Sequence, residues 1–337
     1  MSIASFYLQL FSGNPYRHGG VGYTDIEAIL GKMGYFPVSL PSGSGLFSKW
    51  HRWKEMNRLV YLIPPGATVA SLFPVYPRMS VAMLQKLKRK GVRILFIIGD
   101  IDGLKDNDPA LLEKELGVMK LADALVVHTE EMKTWLQRRL PAVPAQVLGP
   151  FDFLAPVAER KREKSHQVCF AGNLGKSGFL NELPAIPAIH FHIYGEDLVP
   201  GLSNAPNCSV YPAFEPKEGP AVIEGSFGLV WDGDSIETLS GPLGEYAQYI
   251  FHHKLSLYIL AGMPAIVPAS AGSAGFVREK GIGWTIDSLH QLPALIQQVS
   301  TDEYREATER MKPIAEAISD GAHLRAAVLN SPVSSRG

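Results

Sequence analysis

Short apolar runs alternate with amphipathic stretches along this chain, a pattern typical of strands that are followed by helices. The most apolar run is Val92 to Ile98, which predicts a central buried strand. The stretch before it, Met79 to Lys90, has a basic outer face and a helical pattern that Gly91 ends. Strands that alternate with helices predict parallel sheets, in which ligands bind at the carboxyl ends of the strands. The pattern therefore predicts the α/β class.

The alternation occurs twice and changes character between the two copies. The first copy ends near Leu148, and the second begins with a strand at Val168. Between them lie Pro156 and the charged run 159–164, which predict a linker whose charges are solvated. The length of 337 residues suits two domains of ordinary size. We expect four segments: a first domain (1–150), a linker (151–166), a second domain (167–318), and a C-terminal segment that crosses back to the first domain and ends in a frayed tail (319–337).

The stretch from residue 252 to 268 predicts a short buried helix, a tight break at Gly262, and a buried strand. Its first turn carries His252, His253 and Lys254, although the dipole of a helix disfavours cations at its N-terminus. An anion resolves this conflict, because free backbone N–H groups and a cation together bind phosphate. The alternative, from this stretch alone, is a solvated basic helix end.

Two loops of the second copy point to the same anion. Gly172, Asn173 and Lys176 follow one predicted strand, and Tyr194 follows the next. The carboxyl ends of parallel strands meet at one edge of a sheet, so we expect these residues and Lys254 to meet there. Two lysines and a helix N-terminus suit a diphosphate, and an aromatic ring suits a base or a ribose. Each feature alone is equally compatible with a structural role.

The glycine-rich loop of the first copy, residues 12–22, follows the first predicted strand. It is not a dinucleotide fingerprint, because Asp25 stands where the third small residue belongs, and the chain has no G-K-[ST] motif. Two Rossmann-like halves without such a fingerprint predict a two-lobed enzyme with a cleft between its lobes.

Composition narrows the class of protein further. The net charge of −1 argues against a protein that coats nucleic acid or acidic lipid through bulk charge, and we expect no nucleic acid partner. Cys169 and Cys208 have no C-x-x-C spacing, which favours a reduced, cytoplasmic protein. We expect no signal peptide, because the first residues lack a basic region and a cleavage site, and no membrane-spanning run.

Several segments together resemble the bacterial GT-B glycosyltransferases. The runs that carry the resemblance in the second copy are FAGNL from Phe170, GSFGLVWDG from Gly225, SGPLGEY from Ser240 and HKLSLY from His253. The family group includes adhesin glucosyltransferases, which add glucose to GlcNAc on serine-rich proteins, and β-1,6-galactofuranosyltransferases of surface polysaccharides. The resemblance spans most of the chain and is strongest from residue 167 to 283.

The resemblance implies a GT-B fold, with two Rossmann-like, doubly wound domains that face a cleft. It also implies a hexosyltransferase that moves glucose or galactofuranose from a UDP-sugar to a glycan or glycoprotein acceptor. The UDP-sugar is then a substrate, and no cofactor is expected. Two D-x-D sequences begin at Asp100 and Asp232 and spell the metal motif of GT-A transferases. Such short motifs are common by chance, and two lysines already offset the phosphate charge, so we expect no metal.

On the donor side, the resemblance places Lys176 on the phosphates, Tyr194 against the nucleotide and Lys254 at the diphosphate. The other donor-side residues that match family positions are Gly172, Asn173, Asp232, Glu245 and His253. His252 stands where the family often has proline, and we assign it no role.

Transfer with inversion of configuration needs a base for the acceptor hydroxyl. Asp100 and Asp102 follow the most apolar strand of the first copy, and the resemblance has an aspartate at Asp100. Asp100 is therefore the first candidate for the base and Asp102 the second. The structural alternative is that Asp102 begins a turn and Asp100 caps a loop. The resemblance lines the acceptor side with Asn14, Arg17, Gly19 and Gly20.

Other functions are compatible with these residues. A UDP-sugar epimerase or hydrolase on the same fold shares them, and so does a non-catalytic partner of a true transferase. Both retaining and inverting enzymes use this fold. The resemblance also leaves self-association open, since the family contains oligomers.

The helix predicted over 50–60 allows two interpretations. Beside Trp50 and Trp53 it carries four basic residues: His51, Arg52, Lys54 and Arg58. The aromatics suit packing on the domain, and the combination suits peripheral contact with a bilayer. A cytoplasmic protein would make that contact at the inner face of the membrane.

Overall fold

The computed structural model describes residues 4–10, 21–197 and 201–333, which form two compact units. Among these residues, unit 1 contains 4–10, 23–148 and 324–333, and unit 2 contains 21–22, 149–197 and 201–323. Within the described ranges, no helix is both long and apolar enough to cross a bilayer.

Six parallel strands form the sheet of unit 1: β1 (Ser5–Leu8), β2 (Phe36–Val38), β3 (Thr68–Phe73), β4 (Arg93–Ile98), β5 (Ala124–Val127) and β6 (Ala145–Val147). Their order in the sheet is β2-β1-β3-β4-β5-β6. β4 pairs with β3 along its whole length and with β5 on its other side. Its residues from Ile94 to Ile98 are fully buried, which confirms the predicted central strand.

The helices between these strands are α1 (Val21–Lys32), α2 (Leu46–Leu62), α3 (Arg78–Arg89), α4 (Asp102–Lys105), α5 (Pro109–Met119) and α6 (Glu130–Gln137). Side chains cap α5 and α6. Asp108 accepts a hydrogen bond from the Leu111 N–H at 3.0 Å, and Thr129 accepts one from the Met132 N–H at 3.1 Å. These short polar side chains satisfy first-turn N–H groups that have no acceptor within the helix.

Six more parallel strands form the sheet of unit 2: β7 (Gln167–Ala171), β8 (His190–Tyr194), β9 (Cys208–Tyr211), β10 (Phe227–Leu229), β11 (Ala265–Pro268) and β12 (Gly283–Ile286). Their order is β12-β11-β10-β7-β8-β9. The helices between and after these strands are α7 (Gly219–Val222), α8 (Gly241–Tyr246), α9 (His253–Leu260), α10 (Ala274–Lys280), α11 (Leu292–Gln298), α12 (Thr301–Asp320) and α13 (Ala322–Leu329). From Leu324 onwards, α13 belongs to unit 1.

Tyr258 fixes α9 to the sheet of unit 2. Its hydroxyl accepts the Ala171 N–H of β7 at 3.0 Å and donates to the Leu229 carbonyl of β10 at 3.0 Å. Its ring lies against Gly228, where a Cβ would come within 2.2 Å of the ring carbon Cγ. A glycine in β10 is therefore what lets α9 approach the strands so closely. The helix ends as predicted, with Gly262 in the left-handed region at φ 66°.

The predicted linker is partly buried in unit 2, and its charged run is not merely solvated. Phe151, Phe153 and Ala155 are buried. The guanidinium of Arg162 donates to three backbone carbonyls, those of Ile223, Gly225 and Ala261, at 2.7 to 2.9 Å. The prediction of solvated charges is therefore wrong for Arg162. The physical reason is that a planar guanidinium can satisfy several carbonyls at the end of an element at once.

Candidate functional site

Three strands of unit 2 lie side by side in the order β10-β7-β8, and the loops after them leave the sheet at the same edge. The loop after β7 contains Gly172, and the loop after β10 contains Asp232. Lys254, in the first turn of α9, reaches both. Its Nζ lies 2.8 Å from Asp232 Oδ1, and a Cβ built on Gly172 would lie 3.9 Å from it. The structure thus brings these three predicted residues together.

Lys254 is held by three groups of unit 2. Its ammonium donates to the backbone carbonyl of Trp231 at 3.0 Å and to Asp232 at 2.8 Å. It also lies 4.6 Å from the centre of the Phe170 ring, a cation–π distance. The side chain is 14% exposed. Two of the three N–H donors of the ammonium therefore have acceptors, and the third has none among the described residues, so a ligand can bind there.

Asp232 joins Lys254 to a second basic residue. His252 Nε2 lies 2.7 Å from Asp232 Oδ2, and the histidine side chain is 5% exposed. Burial alone would raise the pKa of Asp232, but Lys254 and then His252 hold that pKa well below its usual value. Asp232 is therefore a carboxylate at neutral pH. His252, to which the sequence analysis assigned no role, forms a polar cluster with Asp232 and Lys254. The sequence feature that could have indicated this role is the pair of adjacent histidines before Lys254.

The N-terminus of α9 has no side-chain cap. The N-cap residue His252 has an extended backbone, with φ −65° and ψ 130°, and its side chain makes no capping hydrogen bond. First-turn N–H groups and the helix dipole attract anions. Lys254 lies at the same end of the helix. The combination can hold a phosphate-sized anion beside a desolvated ammonium.

His253 lies beside this cluster in an apolar environment. The centre of its ring is 4.8 Å from that of Phe153 and 6.1 Å from that of Phe151. Its Nε2 is buried and has no hydrogen-bond partner among the described residues. Burial lowers the pKa of His253 to about 4. The imidazole is therefore neutral at pH 7.

The loop after β7 is ordered by its own polar groups. Asn173 Oδ1 accepts the Lys176 N–H at 3.2 Å, and the Ser177 hydroxyl donates to the Asn173 carbonyl at 2.8 Å. The Gly172 N–H donates to the Tyr194 carbonyl at 3.0 Å. Asn173 thereby caps the 3₁₀ turn 174–176. The side chain of Lys176, at the end of this turn, is exposed. Contacts of Asn173 and Lys176 with phosphates stay predictions.

Tyr194 lies in the core of unit 2. It is 5% exposed, and its ring stacks on Tyr211 with centres 4.5 Å apart and planes 10° apart. Its hydroxyl oxygen accepts the Glu224 N–H at 2.9 Å. Burial raises the pKa of Tyr194 to about 12. Both the ring and the hydroxyl thus have structural partners, and a contact with a nucleotide stays a prediction.

The remaining expected residues also stay predictions. Glu245 is exposed on α8. The four residues expected on the acceptor side, Asn14, Arg17, Gly19 and Gly20, lie outside the described residues.

The aspartates after β4 lie in a polar cluster of unit 1. Lys105 Nζ is 3.1 Å from Asp100 Oδ2 and also pairs with Asp102. The Tyr76 hydroxyl hydrogen-bonds Asp102 and lies 3.1 Å from Glu115 Oε1. Burial alone would lower the pKa of Lys105, but the two aspartates outweigh it and raise that pKa. Burial raises the pKa of Glu115.

Asp100 and Asp102 have different environments in this cluster. Asp102 begins the single turn of α4, and buried Glu115 accepts the N–H groups of Asp102 and Gly103 at 3.0 and 2.8 Å. Asp102 therefore begins a turn, as in the structural alternative, and its role as a base stays a prediction. Asp100 precedes α4, and its side chain is more exposed, 29% against 20%. Sequence reasoning missed Glu115, because it lies a helix away from the motif and carries no local signal.

Comparison with known proteins identifies the family of the chain. The family models described as "Glucosyltransferase 3-like, N-terminal domain" and "Glucosyltransferase 3-like, C-terminal domain" match residues 8–142 and 168–331. Beta-1,6-galactofuranosyltransferase WbbI of Escherichia coli K12 is 26% identical over 69% of this chain and 69% of its own length. Glucosyltransferase 3 of Streptococcus gordonii is 24% identical over 71% of each chain.

A solved structure shows the same fold. The structure of Anabaena HepE in complex with UDP and glucose aligns with a TM-score of 0.62 at 11% sequence identity, and the alignment covers 97% of this chain and 100% of that one. The two six-stranded parallel sheets and this likeness confirm the predicted GT-B fold.

The pKa of His253 predicts a pH dependence of stability. In the unfolded chain a histidine titrates near pH 6.5, about 2.5 units above the folded value. As the pH falls from about 6.5 towards 4, the histidine is protonated in the unfolded state but not in the folded state. The free energy of unfolding therefore falls, by up to about 3 kcal/mol. His253→Phe removes this contribution. Urea unfolding at several pH values should therefore show a smaller loss of stability on acidification in the variant than in the wild type.

The matched variant for this measurement is His192→Phe. Burial lowers the pKa of His192 to about 4 as well, so this substitution should flatten the profile over the same pH range. Wild-type and His253→Phe curves that run parallel would contradict the assignment of a neutral, buried His253.

Proposed function

The chain belongs to the glucosyltransferase 3-like family of GT-B glycosyltransferases, and we propose that it transfers glucose or galactofuranose from a UDP-sugar to a glycan or glycoprotein acceptor in the cytoplasm. The observation that carries the proposal is Lys254, a largely buried ammonium at the uncapped first turn of α9, at the edge of a parallel sheet where ligands bind.

The leaving group of such a transfer is UDP, whose diphosphate gains charge as the glycosidic bond to the sugar breaks. Groups that stabilise this charge in place lower the barrier. Lys254 and the first-turn N–H groups of α9 meet this requirement in the proposal, with the exposed Lys176 as a second cation. When Lys254 turns to a diphosphate, His252 still lies 2.7 Å from Asp232, so the partly buried carboxylate keeps a polar neighbour.

We propose Asp100 as the base that deprotonates the acceptor hydroxyl, for a transfer that inverts configuration. Lys105 pairs with both aspartates, but Asp100 is the more exposed of the two, whereas Asp102 is also hydrogen-bonded by Tyr76 and begins α4. A base must be accessible to the hydroxyl of a second substrate. These environments favour Asp100 over Asp102.

We propose further that the diphosphate is held without a metal. In each of the two D-x-D sequences, one aspartate already has partners within the protein: the first aspartate in one sequence and the last in the other. Asp232 is paired with Lys254 and His252, and Asp102 with Lys105 and Tyr76. A cation would have to displace Lys254 or Lys105 from these carboxylates in order to bind.

A panel of UDP-sugars tests the function. We expect UDP release from UDP-glucose or UDP-galactofuranose when a glycan acceptor is present, and continued release when EDTA is added. Release without an acceptor would instead favour a hydrolase. Loss of turnover in EDTA, restored by manganese, would contradict the metal-free donor site. If no donor turns over and millimolar UDP gives no thermal shift, the non-catalytic partner is favoured, because a ligand at about 100 Kd stabilises by roughly 2.7 kcal/mol.

Replacement of Lys254 tests the anion site directly. Lys254→Met removes a charged hydrogen bond to the diphosphate and should weaken UDP binding by about tenfold or more in calorimetric titration. Lys280→Met, which removes an exposed lysine from α10, is the matched control and should leave the affinity unchanged. Thermal unfolding without ligand checks that both variants are folded. Wild-type UDP affinity in a folded Lys254→Met variant would rule out the diphosphate contact.

Replacement of Asp100 separates catalysis from binding. Asp100→Asn should lower the transfer rate by about 100-fold or more, since general bases typically contribute that much, while UDP affinity stays the same. Asp106→Asn, on an exposed neighbour, is the control and should leave the rate unchanged. A wild-type rate in Asp100→Asn would show that transfer does not depend on this carboxylate.

A further inference from the structure

Helix α2 of unit 1 has an exposed apolar stripe. Leu46, Trp50, Trp53 and Tyr61 follow one another at spacings of four, three and eight residues, which places them on one side of the helix. Their side chains are 85%, 54%, 54% and 82% exposed. Met56, on another side, is 3% exposed and packs inward. Packing of the domain therefore accounts for Met56 but not for the stripe.

Cations surround this stripe. The helix carries five basic residues and one acidic residue: Lys49, His51, Arg52, Lys54, Arg58 and Glu55. Arg58 donates to Glu55 at 2.8 Å, and this hydrogen bond lowers the pKa of Glu55. Lys54 Nζ lies 5.5 Å from the centre of a Trp50 ring. The one carboxylate of the helix is thus paired, and Lys54 shares the outer surface of the helix with the ring of Trp50.

The charge imbalance extends along the chain. From Leu46 to Lys90, Glu55 is the one acidic residue, against nine lysines and arginines: Lys49, Arg52, Lys54, Arg58, Arg78, Lys86, Lys88, Arg89 and Lys90. The whole chain has a net charge of −1. Positive charge is therefore concentrated in this stretch of the chain, although Lys88 pairs with Asp123 at 2.8 Å.

α2 is firmly attached to its neighbour. Lys90, just after α3, donates to the carbonyls of Val60, Tyr61 and Ile63 at 2.7 Å each. Lys86 of α3 donates to Asn57 at 2.6 Å. These contacts attach the C-terminal end of α2 to α3.

We propose that α2 binds the surface of a bilayer that contains anionic lipids. The stripe enters the headgroup region, and the surrounding cations pair with lipid phosphates. Tryptophan and tyrosine favour this region because their rings are amphipathic. A protein partner fits less well, since lysine is depleted in protein interfaces relative to the rest of the surface. This inference goes beyond the proposed transfer and does not depend on it.

Vesicle binding of the full chain, without any sugar donor, tests the inference. We expect the protein to sediment with vesicles of phosphatidylcholine that contain about one third phosphatidylglycerol, and much less with phosphatidylcholine alone. Binding should weaken as salt is raised, because salt screens exposed charges. Tryptophan fluorescence should shift to shorter wavelength on binding, as Trp50 and Trp53 leave water.

Two double variants separate the contributions. Trp50→Ala/Trp53→Ala removes the centre of the stripe, and Lys49→Glu/Lys54→Glu reverses the charge beside it; each should lower the vesicle partition coefficient about tenfold or more. The charge control is Arg305→Glu/Lys312→Glu on the exposed face of α12, which should bind like the wild type. Circular dichroism confirms that all variants are folded.

Three outcomes would overturn the proposal. The first is equal binding to neutral and anionic vesicles, and the second is an equal loss of binding in the control variant. The third is no binding to anionic vesicles; a dimer that Trp50→Ala/Trp53→Ala dissociates would then mean that a second copy of the chain covers the stripe. Because no donor is present, each of these results leaves the proposed UDP-sugar transfer to be decided by the UDP-release assay.

Discussion

A largely buried ammonium needs a counter-charge, and in unit 2 Asp232 provides it to Lys254 at 2.8 Å. This pair can form only if the first turn of α9 lies beside the loop after β10. Tyr258 ensures that position, because its hydroxyl bonds both β7 and β10 and its ring fills the space above Gly228. Ser256 adds a bond from the same helix to the Phe151 carbonyl at 2.6 Å. Lys254 is thus placed by packing before any ligand arrives, and preorganised charge of this kind is what stabilises a leaving group most effectively.

The second partner of Asp232 changes what the ion pair can do. A carboxylate that is shielded from water and has a single cationic partner becomes unpaired when that cation moves to a ligand. An unpaired buried charge is strongly destabilising. His252 lies 2.7 Å from the other carboxylate oxygen and is itself shielded from water. Lys254 can therefore be shared with an anion while Asp232 keeps a neighbour. His253, neutral and packed on Phe153, adds no competing charge to this arrangement.

Charge is distributed unevenly in this protein, and that matters more than its sum. The net charge of −1 argues against bulk attraction to anionic surfaces, yet the chain from α2 to the end of α3 is almost free of carboxylates. Electrostatic attraction acts over about one Debye length, roughly 10 Å at 0.1 M salt, so a ligand or a bilayer meets the local patch and not the total. The exposed rings of Trp50 and Trp53 lie within that patch, which combines the two forces that hold peripheral proteins at a bilayer.

The sequence by itself determined the parallel α/β architecture, the burial of β4 and the end of α9 at Gly262, because apolar periodicity and glycine stereochemistry act over a few neighbouring residues. It also identified Lys254 as a residue at a sheet edge, since parallel topology collects loops there. The tertiary structure alone decided which groups meet. Lys254 and Asp232 are 22 residues apart in the chain, and Tyr76 and Glu115 are 39 apart. The tertiary structure also decided the contacts of Arg162, which lies in a charged run that the sequence predicts to be solvated. It likewise decided that the ring of Tyr194 packs on Tyr211. Contacts between residues at such separations give no periodic or local pattern in the sequence, because the packing of whole helices and strands determines them.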